Sequence, residues 1–267
     1  MDVALYDTTL REGAQGASTD FTLADRERIF ALLCDMEVPY IEAGNPASNP
    51  ADAEFFRRVT SPKRAKLAAF GATCRVGADP AADTGLAALL LAGTPVITIF
   101  GKSWDYHVDE VLRTSRGENL RMIEETVRYL TSHGREVHFD AEHFFDGYRA
   151  NRDYALEVLR AAVRGGATWL CLCDTNGGTF PDAVERTVFD VLRDISLPVA
   201  IHAHNDTGMA EANAVAAVSA GVKMVQCTLA GAGERCGNTN LFTAAPNLQL
   251  KMGLSCLPEG VMSRLAS

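Results

Sequence analysis

Short apolar runs recur along the chain. Each gives way to a polar or glycine-bearing stretch and then to a segment whose apolar residues return every three or four positions. The first run, VALY from Val3, leads into DTTLREGAQG. Thr22 and Asp25 form a cap-like pair that starts a helix with Ile29, Phe30, Leu32, Leu33 and Met36 on its apolar face. VPYIEAG reads as a second strand, and Asn49-Pro50 precedes a helix through Glu54, Phe55, Phe56 and Val59. Lys66–Phe70 is a third strand, helix Leu86–Leu91 stops at Gly93, and TPVITIFGK is the fourth. A longer helix from Gly117 to Leu130 stops at Gly134 before EVHFDAE, and helix Tyr154–Val163 stops at Gly165-Gly166 before TWLCLCDT. Pro181 takes a first helical position ahead of Val184, Val188, Val191 and Leu192. Val199–Asp206, VAIHAHND, holds the seventh strand, and helix Met209–Ala220 ends at Gly221 before the eighth, VKMVQCTL.

Strands and helices in strict alternation, with glycine repeatedly ending the helix just before the next strand, make a right-handed series of βα units. Eight units in 267 residues match a closed (β/α)8 barrel. An open doubly wound sheet would need a glycine-rich phosphate turn after an early strand, and GxGxxG is absent. Composition supports the barrel, because 47% of residues are apolar and only 7% aromatic, so the core is built from Ala, Val, Leu and Ile. No linker or low-complexity segment divides the chain, and residues 1–267 read as a single barrel domain.

A net charge of −9 argues against nucleic-acid or anionic-membrane partners, which need a basic field. The seven cysteines form no CxxC pair and sit mostly in apolar sequence such as LCLCD, so most of them read as small buried thiols, in a reducing, cytoplasmic compartment. No apolar run approaches a membrane span, and MDVALYD lacks the basic-then-apolar order of a signal peptide.

In a barrel the C-terminal strand ends converge on one face, and polar residues collect at those ends here. Asp7, Arg11 and Glu12 follow the first strand, Glu42 the second, Glu142 and His143 the fifth, Asp174 and Thr175 the sixth, and GAGERCGN the eighth. His202 and His204, two apart on the seventh, aim their rings into one volume, a two-nitrogen start on a divalent metal site. Asp206 behind them is placed to accept from a ring N–H and fix its tautomer. Glu12 and the Asn238 amide are the natural oxygen donors to complete the set. The alternative for each residue is a helix cap, a salt bridge or a satisfied backbone. A mixed nitrogen and oxygen set with open positions suits zinc, manganese or magnesium and leaves room for a chelating substrate.

DTTLREG, HAHND and GAGERCGN, in that order, resemble the DRE-TIM metallolyase superfamily, which includes isopropylmalate, homocitrate and citramalate synthases and HMG-CoA lyase. FGKSWDYHV, DAEHFFDGY, CDTNGGTFP and PNLQLKMG bring the chain nearest to the citramalate synthase group. The resemblance implies metal ligands Glu12, His202, His204 and Asn238. It implies that Arg11 polarises a keto oxygen, that Glu142 is the active-site glutamate of strand five, and that Thr175 holds a substrate carboxylate. Tyr106 and His107, from the FGKSWDYHV stretch, join the expected substrate-binding set.

The reaction implied is a divalent-metal-dependent condensation of acetyl-CoA with a small 2-oxo acid, pyruvate first, giving citramalate on a route to isoleucine. A homodimer is implied as well. Glu12 stands where many members carry Asp, a choice shared with homocitrate synthases, so isopropylmalate and homocitrate chemistry stay as alternatives. Retro-aldol cleavage, as in HMG-CoA lyase, is another. The synthases continue beyond the barrel into a helical subdomain and usually a regulatory domain, so the chain reads as the catalytic barrel without them. A barrel that binds metal and 2-oxo acid without turnover is the non-enzymatic alternative. Phe100, Trp104, Tyr106, Phe144 and Phe145 are expected as bulky walls that close the pocket around pyruvate.

Overall fold

The computed structural model describes residues 1–17, 19–60 and 62–265. Eight parallel strands close on themselves in sequence order. They are β1 (Ala4–Asp7), β2 (Tyr40–Glu42), β3 (Lys66–Ala72), β4 (Val96–Lys102), β5 (Glu136–Glu142), β6 (Trp169–Asp174), β7 (Val199–Ala203) and β8 (Met224–Cys227). β1 pairs with both β2 and β8, which is the closure that leaves no open edge. This is the (β/α)8 barrel expected from the alternation of strands and helices.

The helices between strands begin and end where local chemistry dictates. Thr22 and Asp25 make a reciprocal capping box at the start of α1 (Leu23–Asp35). Asn49 caps α2 (Pro50–Arg58), whose first residue is the proline. Asp83 caps α3 (Thr84–Leu91) through two backbone N–H groups. After β4 the chain makes a short turn α4 (Asp105–His107) and a π-turn before α5 (Arg116–Ser132). After β5 comes α6 (Phe144–Ala150), which the apolar spacing did not announce, and then α7 (Arg152–Gly165). The later helices are α8 (Pro181–Asp194), α9 (Ala210–Ala220), α10 (Leu241–Pro246) and α11 (Val261–Arg264). Gly166 and Gly221 end α7 and α9 at φ of 99° and 118°, a left-handed conformation that glycine adopts without the Cβ penalty.

Side-chain alternation sorts each strand into two environments. On β4 and β5, Ile97, Ile99, Val137, Phe139 and Ala141 point outward and join the core between strands and helices. The inward positions differ in character along the barrel axis. Tyr6, Ala68, Val96, Cys171, Cys173, Ala200 and Met224 make the inner apolar cluster. Thr98, His138, Asp140 and Gln226 share that interior and are also buried. A polar ladder along the axis must be hydrogen-bonded to be tolerated. Tyr6 donates to Glu42 at 2.6 Å, and Gln226 Nε2 donates to both Asp140 oxygens at 3.0 and 3.2 Å. No helix among the described residues is long and apolar enough to cross a membrane.

Candidate active site

A cavity of about 490 Å³ opens at the C-terminal strand ends, lined among others by Arg11, Glu12, Asp140, Glu142, Thr175, His202 and His204. Six of the seven residues to which the family resemblance gives a metal-binding, keto-polarising, acidic or carboxylate-holding role therefore share one space. The seventh, Asn238, is buried beside it, with Nδ2 3.5 Å from His202 Nε2.

The candidate metal centre is the tightest part. One donor atom each from Glu12, His202 and His204 lies within 4.8 Å of the others. His202 Nε2 stands 3.1 Å from His204 Nε2 and 3.5 Å from Glu12 Oε1. Burial pulls the His202 imidazole down to about 3 and lowers that of His204, so both rings are neutral near pH 7 and present lone pairs. For Glu12, burial pushes upward but is overcome by the Arg11 guanidinium and the two imidazoles, leaving the carboxyl at about 2. Glu12 is thus an anion at any ordinary pH. Asn238 Oδ1 is buried with no hydrogen-bond partner among the described residues, a costly arrangement unless a further partner arrives. The loop after β8 is cut to fit it, because a β-carbon on Gly233 would lie 1.9 Å from that oxygen. Two neutral imidazoles, an ionised carboxylate and an orphaned amide oxygen fit a divalent ion.

Arg11 is held on three sides. Its Nε donates to Glu42, its Nη1 donates to Glu12 at 2.5 Å, and its guanidinium lies 3.8 Å over the Phe70 ring. Nη2 has no protein partner among the described residues and is the donor left for an incoming oxygen. Glu142, on the same cavity, pairs with Lys102 across the β4 and β5 ends. Thr175 accepts the His143 backbone N–H at its Oγ1, 2.9 Å away.

Several expectations are corrected. Asp206 does not reach a histidine ring. Arg235 grips it with two hydrogen bonds, Nε to Oδ1 at 2.7 Å and Nη2 to Oδ2 at 2.9 Å, and a charged bidentate partner outcompetes a neutral ring N–H. His204 Nδ1 is left buried without a partner among the described residues. Phe144 and Phe145 are core residues of α6, because the helix turns them inward behind the strands. Trp104, Tyr106 and His107 sit on the turn beyond β4 and do not line the cavity. His107 reaches the site only indirectly, its ring 4.5 Å from that of His143, and Tyr106 is 56% exposed. Phe100 alone of the expected aromatics lines the cavity, stacked on Phe70 at 5.2 Å.

Asp140 was the main residue missed. Its signal lay in EVHFDAE, where Glu136, His138, Asp140 and Glu142 alternate and therefore climb one face of β5 into the cavity. Burial, reinforced by the Glu42 charge, pushes its carboxyl up to about 8.

A barrel with a metal-capable donor set at its C-terminal face defines the class, and sequence comparison agrees. The chain belongs to the HMGL-like family, whose sequence model matches residues 2–259. It is 49% identical to the (R)-citramalate synthase of Aquifex aeolicus (strain VF5) over 98% of this chain and 50% of that protein. It is 36% identical to the homocitrate synthase of Sulfolobus acidocaldarius over 100% of this chain and 56% of that one. The chain thus spans about half the length of the curated relatives it matches. Among solved structures, hydroxymethylglutaryl-CoA lyase from Pseudomonas aeruginosa superposes with a TM-score of 0.81 at 20% identity, covering 99% of this chain and 90% of that one, a likeness of fold.

Proposed function

We propose that the chain is the catalytic barrel of a metal-dependent acyltransferase that condenses acetyl-CoA with pyruvate to form citramalate. One observation carries this reading: Glu12, His202 and His204 share one cavity with Arg11, Glu142 and Thr175, and the Asn238 amide lies against His202 beside it. The similarity to (R)-citramalate synthases, at 46–49% identity, supports the choice of substrates. Residues 1–267 act as one domain in this reading, and the protein works in the cytoplasm as a homodimer.

A divalent ion held by Glu12, His202, His204 and Asn238 would supply Lewis acidity to a chelated 2-oxo acid. The chain's own groups do the rest. Arg11 offers Nη2 to the keto oxygen, where negative charge grows as the new carbon–carbon bond forms. Its other nitrogens are anchored to Glu42 and Glu12, so the donor is fixed in place before the substrate arrives. Thr175 offers its hydroxyl to the substrate carboxylate. Glu142, steadied by Lys102, is the carboxylate placed to move a proton at the cavity wall.

Selectivity for pyruvate follows from the walls and charges. Phe70 and Phe100 form a stacked apolar wall that crowds a longer side chain. Of the two arginines on the cavity, Arg26 is committed to Asp52 at 2.9 Å and to the Leu10 carbonyl at 3.0 Å. Among the described residues that line the cavity, no second cation is left free for a further substrate carboxylate. Thiol release from acetyl-CoA tests the proposal, measured with pyruvate, 2-oxobutyrate, 2-oxoisovalerate and 2-oxoglutarate. Specificity constants should fall in that order. A preference for 2-oxoisovalerate or 2-oxoglutarate would move the reading to isopropylmalate or homocitrate synthesis, and no thiol release with any of them would overturn it.

A further inference from the structure

Below the donor set just described, the cavity floor carries a second and chemically different one. Cys171 and Cys173 occupy alternate positions on β6 and both face the barrel interior, where Asp140 of β5 stands in register with Cys171. One donor atom from each of Asp140, Cys171 and Cys173 lies within 4.8 Å of the others, and all three residues are buried. Asp140 and Cys173 line the cavity, so the cluster is reached from the same mouth as the histidines. Gln226 donates to Asp140 through Nε2, while its own Oε1 is buried with no partner among the described residues. The proposed condensation uses neither sulfur.

We propose that Asp140, Cys171 and Cys173 form a second metal site, selective for a thiophilic divalent ion of the Cd²⁺ or Zn²⁺ type, at the floor of the cavity. Donor chemistry separates it from the site above. Thiolates favour soft ions, whereas the Glu12, His202, His204 and Asn238 set presents only nitrogen and oxygen. Tetrahedral zinc with bonds of about 2.0–2.3 Å holds its donors on the order of 3.5 Å apart, so small side-chain rotations close the cluster around an ion. The Gln226 carbonyl is the neighbouring candidate for a fourth ligand.

The binding step conserves electrons and moves only protons. Burial holds the Asp140 carboxyl at about 8 and the Cys173 thiol at about 11, and raises the Cys171 thiol well above its usual range. Each S–H or O–H bond breaks as the lone pair turns to the metal, so up to three protons leave per ion. The resulting single negative charge lies near the Arg11 guanidinium, which already feels Asp140. An ion there would occupy the floor beneath Arg11 and Glu142. Filling this second site should therefore inhibit a protein whose first site already holds an activating ion such as Mn²⁺.

The test is a titration of chelator-stripped protein with Cd²⁺ and, separately, with Mn²⁺. Bound equivalents are counted by equilibrium dialysis, and sulfur-to-cadmium charge transfer is followed in the ultraviolet. The expected result is one equivalent of Mn²⁺ and two of Cd²⁺, the second Cd²⁺ accompanied by the thiolate band. Cys171→Ser should abolish the band and the second Cd²⁺ while keeping the Mn²⁺ equivalent, and Cys236→Ser, at the exposed cysteine, should change neither. A single Cd²⁺ equivalent without the band, or a second equivalent that survives Cys171→Ser, overturns the proposal. The wild-type count decides the matter even where a variant fails to fold. Failure of Mn²⁺ to bind would count against the functional reading above and leave the sulfur readout to judge this one.

Discussion

Gly233 and Asn238 illustrate how much of the site is decided by single atoms. A methyl group on Gly233 has no room beside Asn238 Oδ1, so Gly233→Ala should displace that amide from the metal centre without replacing any ligand residue. Losing or misplacing a supporting group of this kind typically lowers metal affinity about 10–100-fold. Dialysis against Mn²⁺ should show a drop in that range with the circular dichroism spectrum unchanged, and an unaltered affinity would remove Asn238 from the ligand set. At this scale the sequence was readable where spacing fixes direction. His202 and His204 meet because residues two apart on a strand share a side, and Glu12 and Asn238 reach them because DTTLREG and GAGERCGN follow neighbouring strands. It was unreadable where a competing partner decides, as with Asp206, since nothing local to HAHND reveals that Arg235 holds it.

The strands and most helix ends were legible because each is set by local rules: Thr22 with Asp25, Asn49 before Pro50, Pro181, and the glycines that close α7 and α9. The α6 insertion escaped because FFDGYRA is too short to show a helical period, and Phe144 and Phe145 therefore read as pocket walls when they are core. The loops that carry the site are tied to one another by long-range bonds that spacing cannot foretell. Arg235, on the loop after β8, bonds Asp206 after β7 and the Thr175 carbonyl after β6, the last at 2.7 Å. Asn205 N–H adds a bond to the Gly237 carbonyl at 2.9 Å. Arg235→Gln should loosen this three-loop clasp and weaken Mn²⁺ binding by about tenfold or more. Much of the unfolding temperature should survive, because the barrel core lies elsewhere. Equal affinity in variant and parent would show that the loop keeps its shape without the clasp.

For the molecule as a whole, the acid groups sealed inside the barrel end make stability depend on pH. Burial pushes the Asp7 carboxyl up to about 7, against the opposing pull of its bonds from Thr9. A carboxyl raised on folding favours the folded state most below its unfolded value near 4, and that contribution is lost as pH climbs through 7. His202 and His204, lowered on folding, act in the opposite sense, so the comparison must be between variant and parent. Asp7→Asn should lose less stability than the parent between pH 5 and pH 8, by on the order of a few kcal/mol in denaturant unfolding of metal-free protein. Identical pH slopes would mean that Asp7 ionises freely. The central claim is that the strand-end donors and Arg11 make a metal-dependent 2-oxo acid site. It is tested most directly by calorimetric titration of pyruvate into Mn²⁺-loaded protein, chelator-stripped protein and the His202→Ala variant. The account predicts binding to the loaded protein alone, and equal binding to all three would contradict it.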